Sequence, residues 1–144
     1  MEELFELRDH IEHGRYVEAL NLIGEMEEMS RDDKINKIRS YAVVLLLHLI
    51  KRHAQKTTTR SWDISIRNAL EEITYTNKRR KAGGYYLGED ELKIAVEEAW
   101  EKALRCASFE SFEGTRTESE IAEMIDEEEI KGEALRKILK MQVG

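Results

Sequence analysis

The chain has 144 residues, 41% hydrophobic and 37% charged, with no proline and a formal net charge of −7. That length suits one domain able to bury a core without metal or disulfide staples, and the intermixed charges of both signs exclude a disordered polyelectrolyte. The single cysteine, Cys106, excludes an internal disulfide. The longest apolar run, Tyr41 to Leu47, is far below the roughly 20 residues of a membrane helix, and the first residues are acidic rather than basic, so we expect a cytoplasmic protein with no membrane role. Proline at its usual share of about 5% would appear about seven times; a chain without it predicts long helices and short connections.

The predicted elements are all helical. Leu4, Phe5, Leu7 and Ile11 fall near helical spacing and Gly14 offers a stop, giving a short first helix. Tyr16, Ala19, Leu20, Leu22, Ile23, Met26 and Met29 continue the period over 15–29. Ser30, followed by Asp32 and Asp33, reads as an N-cap opening a third helix to about Lys56. Between Tyr41 and Ile50 only His48 is polar, and a helix apolar on nearly every side belongs at the centre of the fold. The threonines at 57–59 read as a connection. Ser61 reads as the cap of a fourth helix with the stripe Ile64, Ile66, Ala69, Leu70 and Ile73, ending in the basic run 78–81 and Gly83-Gly84. A helix over about 89–107 carries a small-residue face of Leu92, Ala95, Val96, Ala99, Ala103 and Cys106. Thr117 and Glu120 form a capping box before a short helix to about Ile125, and a last helix runs over about 128–141. No strand pattern persists. The expected fold is therefore all-α: one domain over 1–144, an up-and-down bundle of about four main helices with short terminal ones, built around residues 35–50.

Charge is segregated along the chain. Residues 1–30 carry nine acids and two bases, residues 51–81 nine bases and three acids, and residues 82–144 sixteen acids and eight bases. The basic segment has two readings: an internal complement to the acidic helices, or a surface for an anionic partner. Within it, Lys78, Arg79, Arg80 and Lys81 precede Tyr85 and Tyr86, a mixture that suits phosphate contacts and base stacking. The alternative is a helix C-terminus whose bases complement the dipole.

Residues 39–51 (Arg-Ser-Tyr-Ala-Val-Val-Leu-Leu-Leu-His-Leu-Ile-Lys) and 60–73 (Arg-Ser-Trp-Asp-Ile-Ser-Ile-Arg-Asn-Ala-Leu-Glu-Glu-Ile) form a recognisable pair. A Leu-rich helix with one histidine is followed by a Ser-Trp helix start and an internal Ile-Arg. The pair resembles the bacterial family named only as domain of unknown function 29, on His48, Leu49, Lys51, Ser61, Trp62, Ile66 and Arg67. The chain departs from the family pattern after His48, where Arg-His-Ala-Gln-Lys-Thr-Thr-Thr stands in place of an aromatic and a proline, and at Thr117–Glu120, which lacks a proline-containing approach. The resemblance implies an α-helical bundle and no activity, cofactor or catalytic residue.

His48, Arg60, Ser61, Trp62 and Arg67 are thus the candidate functional or structural motif. His48 suits either a core histidine satisfied by hydrogen bonds or a base or ligand; Trp62 suits a packing anchor, and Arg67 a pair with Glu71 at i+4. Glu6, His10 and His13 share one side of the first helix and offer three zinc-type ligands without a readable fourth. Arg39 precedes His48 by nine residues, beyond the four to six of helical toxin nucleases, and no phosphate loop or nucleophile–base order is present. The expected role is a non-enzymatic interaction or regulatory module without cofactor whose partner is another protein, the alternative being a nucleic-acid-associated factor using residues 51–81.

Overall fold

The computed structural model describes residues 2–79 and 82–143, so Arg80 and Lys81 of the basic run lie outside the described residues. Six α-helices are present among the described residues: α1 (Glu2–Glu12), α2 (Tyr16–Gln55), α3 (Arg60–Asn77), α4 (Glu89–Glu110), α5 (Glu118–Met124) and α6 (Glu127–Val143), with a 3-10 turn at Ser111–Gly114. The all-α expectation holds. The chain divides into two compact units, Met1–Lys34 and Ile35–Gly144, and α2 contributes to each.

The first unit is a helical hairpin. Gly14 sits at φ +71°, a conformation that L side chains adopt at a cost. The amide of Gly14 donates to the Ile11 carbonyl and that of Arg15 to the His10 carbonyl, the Schellman pattern that satisfies the last carbonyls of α1. Arg15 then secures the turn with its side chain: Nε donates to His10 Nδ1 at 3.0 Å and a terminal nitrogen to Asp9 at 2.5 Å. Among the described residues, Ala19 and Leu22 are the buried apolar ones of this unit.

The second unit is organised by the C-terminal part of α2. Ala42, Leu45, Leu46, Leu49 and Ile50 are fully buried, and Ile38 almost so. Each neighbouring helix contributes one stripe to the same core: Ile66, Ala69, Leu70 and Ile73 from α3; Leu92, Ala95, Val96, Ala99, Trp100, Ala103 and Ala107 from α4; Ile121 from α5; Ile130, Ala134 and Ile138 from α6. The alanines at 95, 99, 103 and 107 recur every four residues, which keeps that face of α4 small. Polar contacts bind the central helix to its neighbours at the edges of the core. Lys51 reaches Glu110 of α4 at 3.1 Å, Arg39 reaches Glu98 of α4 at 2.5 Å, and His53 reaches Glu133 of α6 at 2.8 Å.

Four local expectations are corrected. Ser30 caps no helix, because α2 runs through it; with no Gly or Pro from Glu25 to Gln55, a serine and two aspartates on an exposed helix surface cost only tenths of a kcal/mol each. Thr59, not Ser61, is the N-cap of α3, its Oγ1 accepting from the Trp62 amide, so the helix opens at Arg60. Ile64 is exposed rather than part of the buried stripe. Finally, α3 stops at Asn77, before the basic run. Lys78 is extended and pairs antiparallel with Tyr85 across a hairpin whose described residues include Gly83 and Gly84 at φ +77° and +72°. Asn77 causes the change. Fully buried, it accepts from the Leu87 amide through Oδ1 and donates through Nδ2 to the Leu87 carbonyl and to Gln142 Oε1 of α6.

Leu49→Ala is expected to lower the unfolding free energy by about 2.7–5 kcal/mol, since it empties a fully buried leucine site on the central helix. Urea titrations of both proteins, read by circular dichroism, measure the difference.

Candidate functional site

The histidine–tryptophan motif does not converge on one cleft. His48 is half-buried, and its Nδ1 lies 2.8 Å from the Val44 carbonyl of its own helix. A carbonyl only accepts, so Nδ1 carries the proton and the ring is tied back along α2. Arg60, Ser61 and Arg67 are exposed, and Arg67 pairs with Glu71 at 3.1 Å. Trp62 is half-buried beneath Lys51, whose ammonium stands 4.7 Å from the ring centroid while it pairs with Glu110. Among the described residues no hydrogen bond or ion pair joins His48 to Arg60, Ser61, Trp62 or Arg67. What the motif does bring together is Lys51, Trp62 and Glu110, linking α2, α3 and α4.

Trp100, which the sequence reading did not single out, repeats the arrangement. Lys131 lies 5.4 Å from its ring centroid and binds Glu97 at 2.7 Å and Glu127 at 2.5 Å. Burial by itself would push this ammonium down. The hydrogen bonds from Glu127 and Glu97 and the attraction of their charges outweigh that and hold it above the usual lysine range. Beside it opens a cleft of about 840 Å³ lined by Glu97, Glu98, Trp100, Glu101, Leu104, Arg105, Glu118, Glu127 and Lys131. Most of its carboxylates are spoken for: Glu97 and Glu127 by Lys131, Glu98 by Arg39, and Glu118 by Arg105 at 3.5 Å. The signal for Trp100 was available in the sequence, since it lies four residues after Val96 and three before Ala103 on the small face of α4.

The basic segment is largely absorbed by the fold. Lys51 is buried against Glu110, Arg52 approaches Asp63 at 3.9 Å, and Arg67 holds Glu71. Lys78 and Arg79 are exposed on the hairpin, whose Tyr85 hydroxyl donates to the Gln142 carbonyl. On α1, His10 takes the Arg15 Nε–H, and His13, just past the end of α1, lies 3.2 Å from Asp9. Among the described residues no three His, Cys, Asp or Glu side chains gather at metal-binding distance.

The exposed apolar surface is concentrated in the first unit. Phe5 and Val17 are each 70% exposed and Leu20 68%, and Leu4, Ile11 and Tyr16 are also open. Tyr16, Val17 and Leu20 stand at i, i+1 and i+4, within about 100° of arc on α2 and apart from the inward pair Ala19 and Leu22. Leu4 and Ile11 are seven residues apart on one side of α1, with Phe5 beside Leu4. This unit also carries all of the net charge: residues 1–34 hold eleven acids and four bases, whereas residues 35–144 hold nineteen of each.

A family model described as "Domain of unknown function DUF29" matches residues 10–130. The chain belongs to that family. The DUF29 match runs from within α1 to within α6 and takes in Tyr16, Val17, Leu20, the His48–Arg67 motif and the basic hairpin. No curated protein and no solved structure matches the chain.

Lys131→Met is expected to lower stability at pH 7 by on the order of 1–3 kcal/mol, because the Glu97 and Glu127 hydrogen bonds lose their donor while packing on Trp100 survives. The native ammonium titrates above its unfolded value, so its contribution is complete below the ordinary lysine pKa of about 10.4 and vanishes as pH rises through the raised native value. Urea midpoints of the two proteins should therefore converge in strong alkali and stay apart at neutral pH.

Proposed function

We propose that this protein is a non-enzymatic interaction module that docks another protein on the apolar face of its first unit. The observation that carries the reading is the cluster Leu4, Phe5, Ile11, Tyr16, Val17 and Leu20: six of the thirteen large hydrophobics left exposed among the described residues fall within seventeen residues of sequence. An excess of solvent-facing aromatic and aliphatic side chains interspersed with charge is the usual chemistry of a protein contact. The second unit supplies the contrast. His48 and His53, Arg39, Arg67 and Arg105, and Glu97, Glu98, Glu118 and Glu127 are engaged in hydrogen bonds and ion pairs between or along helices, and among the described residues that line its cleft there is no nucleophile–base pair.

The test places a photoreactive phenylalanine analogue at Phe5 in the cell that makes the protein, with Tyr75, exposed on α3, as control. The expected result is a discrete heterotypic adduct at position 5 and none at 75. No adduct, an adduct within the chain, or equal yield at both positions overturns the reading.

A second reading, a nucleic-acid-associated factor, draws on exposed Lys78 and Arg79 beside the partly open Tyr85. It predicts salt-sensitive binding of single-stranded DNA or RNA that is lost when Lys78, Arg79, Arg80 and Lys81 are replaced by glutamine. Unchanged binding in that variant, measured by fluorescence anisotropy at two salt concentrations, removes it. The neutral sum of charge over residues 35–144 gives this reading less support than the first.

A further inference from the structure

We infer that the occupant of the first unit's apolar face is a cationic amphipathic helix of a partner protein: leucine-like residues on one side, lysine and arginine on its flanks. The inference rests on the docking reading above and adds the chemistry of what docks.

The shape comes from what the two helices leave exposed. Among the described residues of this unit Ala19 and Leu22 are the buried apolar ones. Tyr16, Val17 and Leu20 form a separate stripe on α2, on a different arc of the helix from Ala19 and Leu22 and open to solvent. A helix laid along α2, anchored at i, i+3 and i+4, is the geometry that covers such a stripe continuously. An extended strand has no partner here, because helices offer no open backbone edge to pair with.

The sign of the charge comes from the sequence around the stripe. Residues 1–34 carry the whole formal charge of −7, and the two arginines that belong to the hairpin proper are already committed: Arg8 to Glu12 at 3.0 Å and Arg15 to Asp9 at 2.5 Å. Glu18, Glu25 and Glu27 on α2 have no such cation among the described residues. An approaching helix therefore meets a negative field before it meets the apolar stripe. A second copy of this chain brings the same −7 hairpin and is repelled, and an anionic lipid surface or a nucleic acid is repelled likewise. A cationic helix is attracted, gaining both steering and flanking ion pairs while its apolar side seats on Phe5, Val17 and Leu20.

The test uses the full chain and three synthetic peptides of roughly 18 residues. One has leucine at i, i+3 and i+4 with lysine elsewhere; one keeps the leucines and has glutamate for lysine; one has the leucine–lysine composition scrambled so that no apolar face forms. We expect the first to bind with a dissociation constant on the order of micromolar, weakening with salt, and the other two to bind at least about tenfold more weakly. Amide shifts on binding should fall in residues 4–27. The variant Phe5→Ser/Leu20→Ser, which leaves charge unchanged and alters only exposed side chains, should lose about tenfold or more in affinity while its thermal midpoint stays within a few degrees. Val17→Ser provides a second, milder probe of the same stripe.

Equal binding of the scrambled peptide, unchanged affinity in the serine variant, or shifts confined to residues 35–143 overturns the inference. If the glutamate peptide binds as well as the lysine peptide and needs Phe5 and Leu20, the cationic occupant falls while the docking reading stands. A dimer seen by sedimentation that disappears in the serine variant assigns the face to a second copy and also overturns it. Binding by none of the peptides removes the helix occupant, and the photocrosslink at Phe5 then decides separately whether any protein docks there.

Discussion

Everything in the second unit depends on the apolar girth of one segment, Ile38 to Ile50 of α2. A helix with leucine or isoleucine on a single stripe can serve one neighbour. Here Leu45, Leu46, Leu49 and Ile50 are all sealed from water across about 140° of the helix circumference, and buried Leu47 widens that arc to about 200°. The stripes of α3, α4, α5 and α6 join them in one core, so each outer helix needs only one apolar face and can keep the rest charged. This accounts for a chain that is 37% charged and still folds: the apolar demand is focused on a few turns rather than spread over every helix.

Two lysine–tryptophan pairs reinforce that arrangement from the rim. Lys51 over Trp62 and Lys131 over Trp100 each join an aromatic face to a carboxylate from another helix. Each lysine stem covers apolar surface while its head stays charged, so the edge of the core is closed by a side chain that still answers to electrostatics. Both tryptophans of the chain are used this way. The family resemblance that begins at His48 and Trp62 therefore coincides with a helix-joining contact. His48 itself bonds only to its own helix, which places the weight of that motif on the lysine one turn further on.

The sequence disclosed those parts of the fold that local chemistry decides. The central position of residues 35–50 followed from unbroken apolar character, the end of α1 from Gly14, and the start of α5 from Thr117 and Glu120, whose two reciprocal hydrogen bonds are present. Local chemistry misled where a longer-range interaction decided. Ser30 and two aspartates form a good cap, yet a cap residue is also tolerated on a helix surface when nothing interrupts the chain. The bases at 78–81 suited a helix terminus, but the Asn77 side chain bonded to a backbone ten residues ahead and to Gln142, 65 residues away, and that could not be read from the neighbourhood of either. The candidate surface was half legible. Tyr16 and Leu20 were read as a helical stripe along with Ala19 and Leu22, and the spacing is right, but periodicity marks which residues share a face and not which face is covered.

The Asn77 link has a kinetic side. One buried side chain holds the Leu87 peptide on both its donor and acceptor, and the same amide group holds α6 through Gln142, while Tyr85 bonds the Gln142 carbonyl from the other strand of the hairpin. The hairpin and the last turn of α6 therefore share their hydrogen bonds, and neither can leave without exposing the other. Loosening of α6 near Gln142 would free the basic hairpin at the same moment, so the amides of Tyr86 and Leu87 should become exchangeable together with the end of α6. A segment that looks in sequence like an independent loop behaves as the far half of a clasp, opening and closing with a helix made from residues more than fifty positions away.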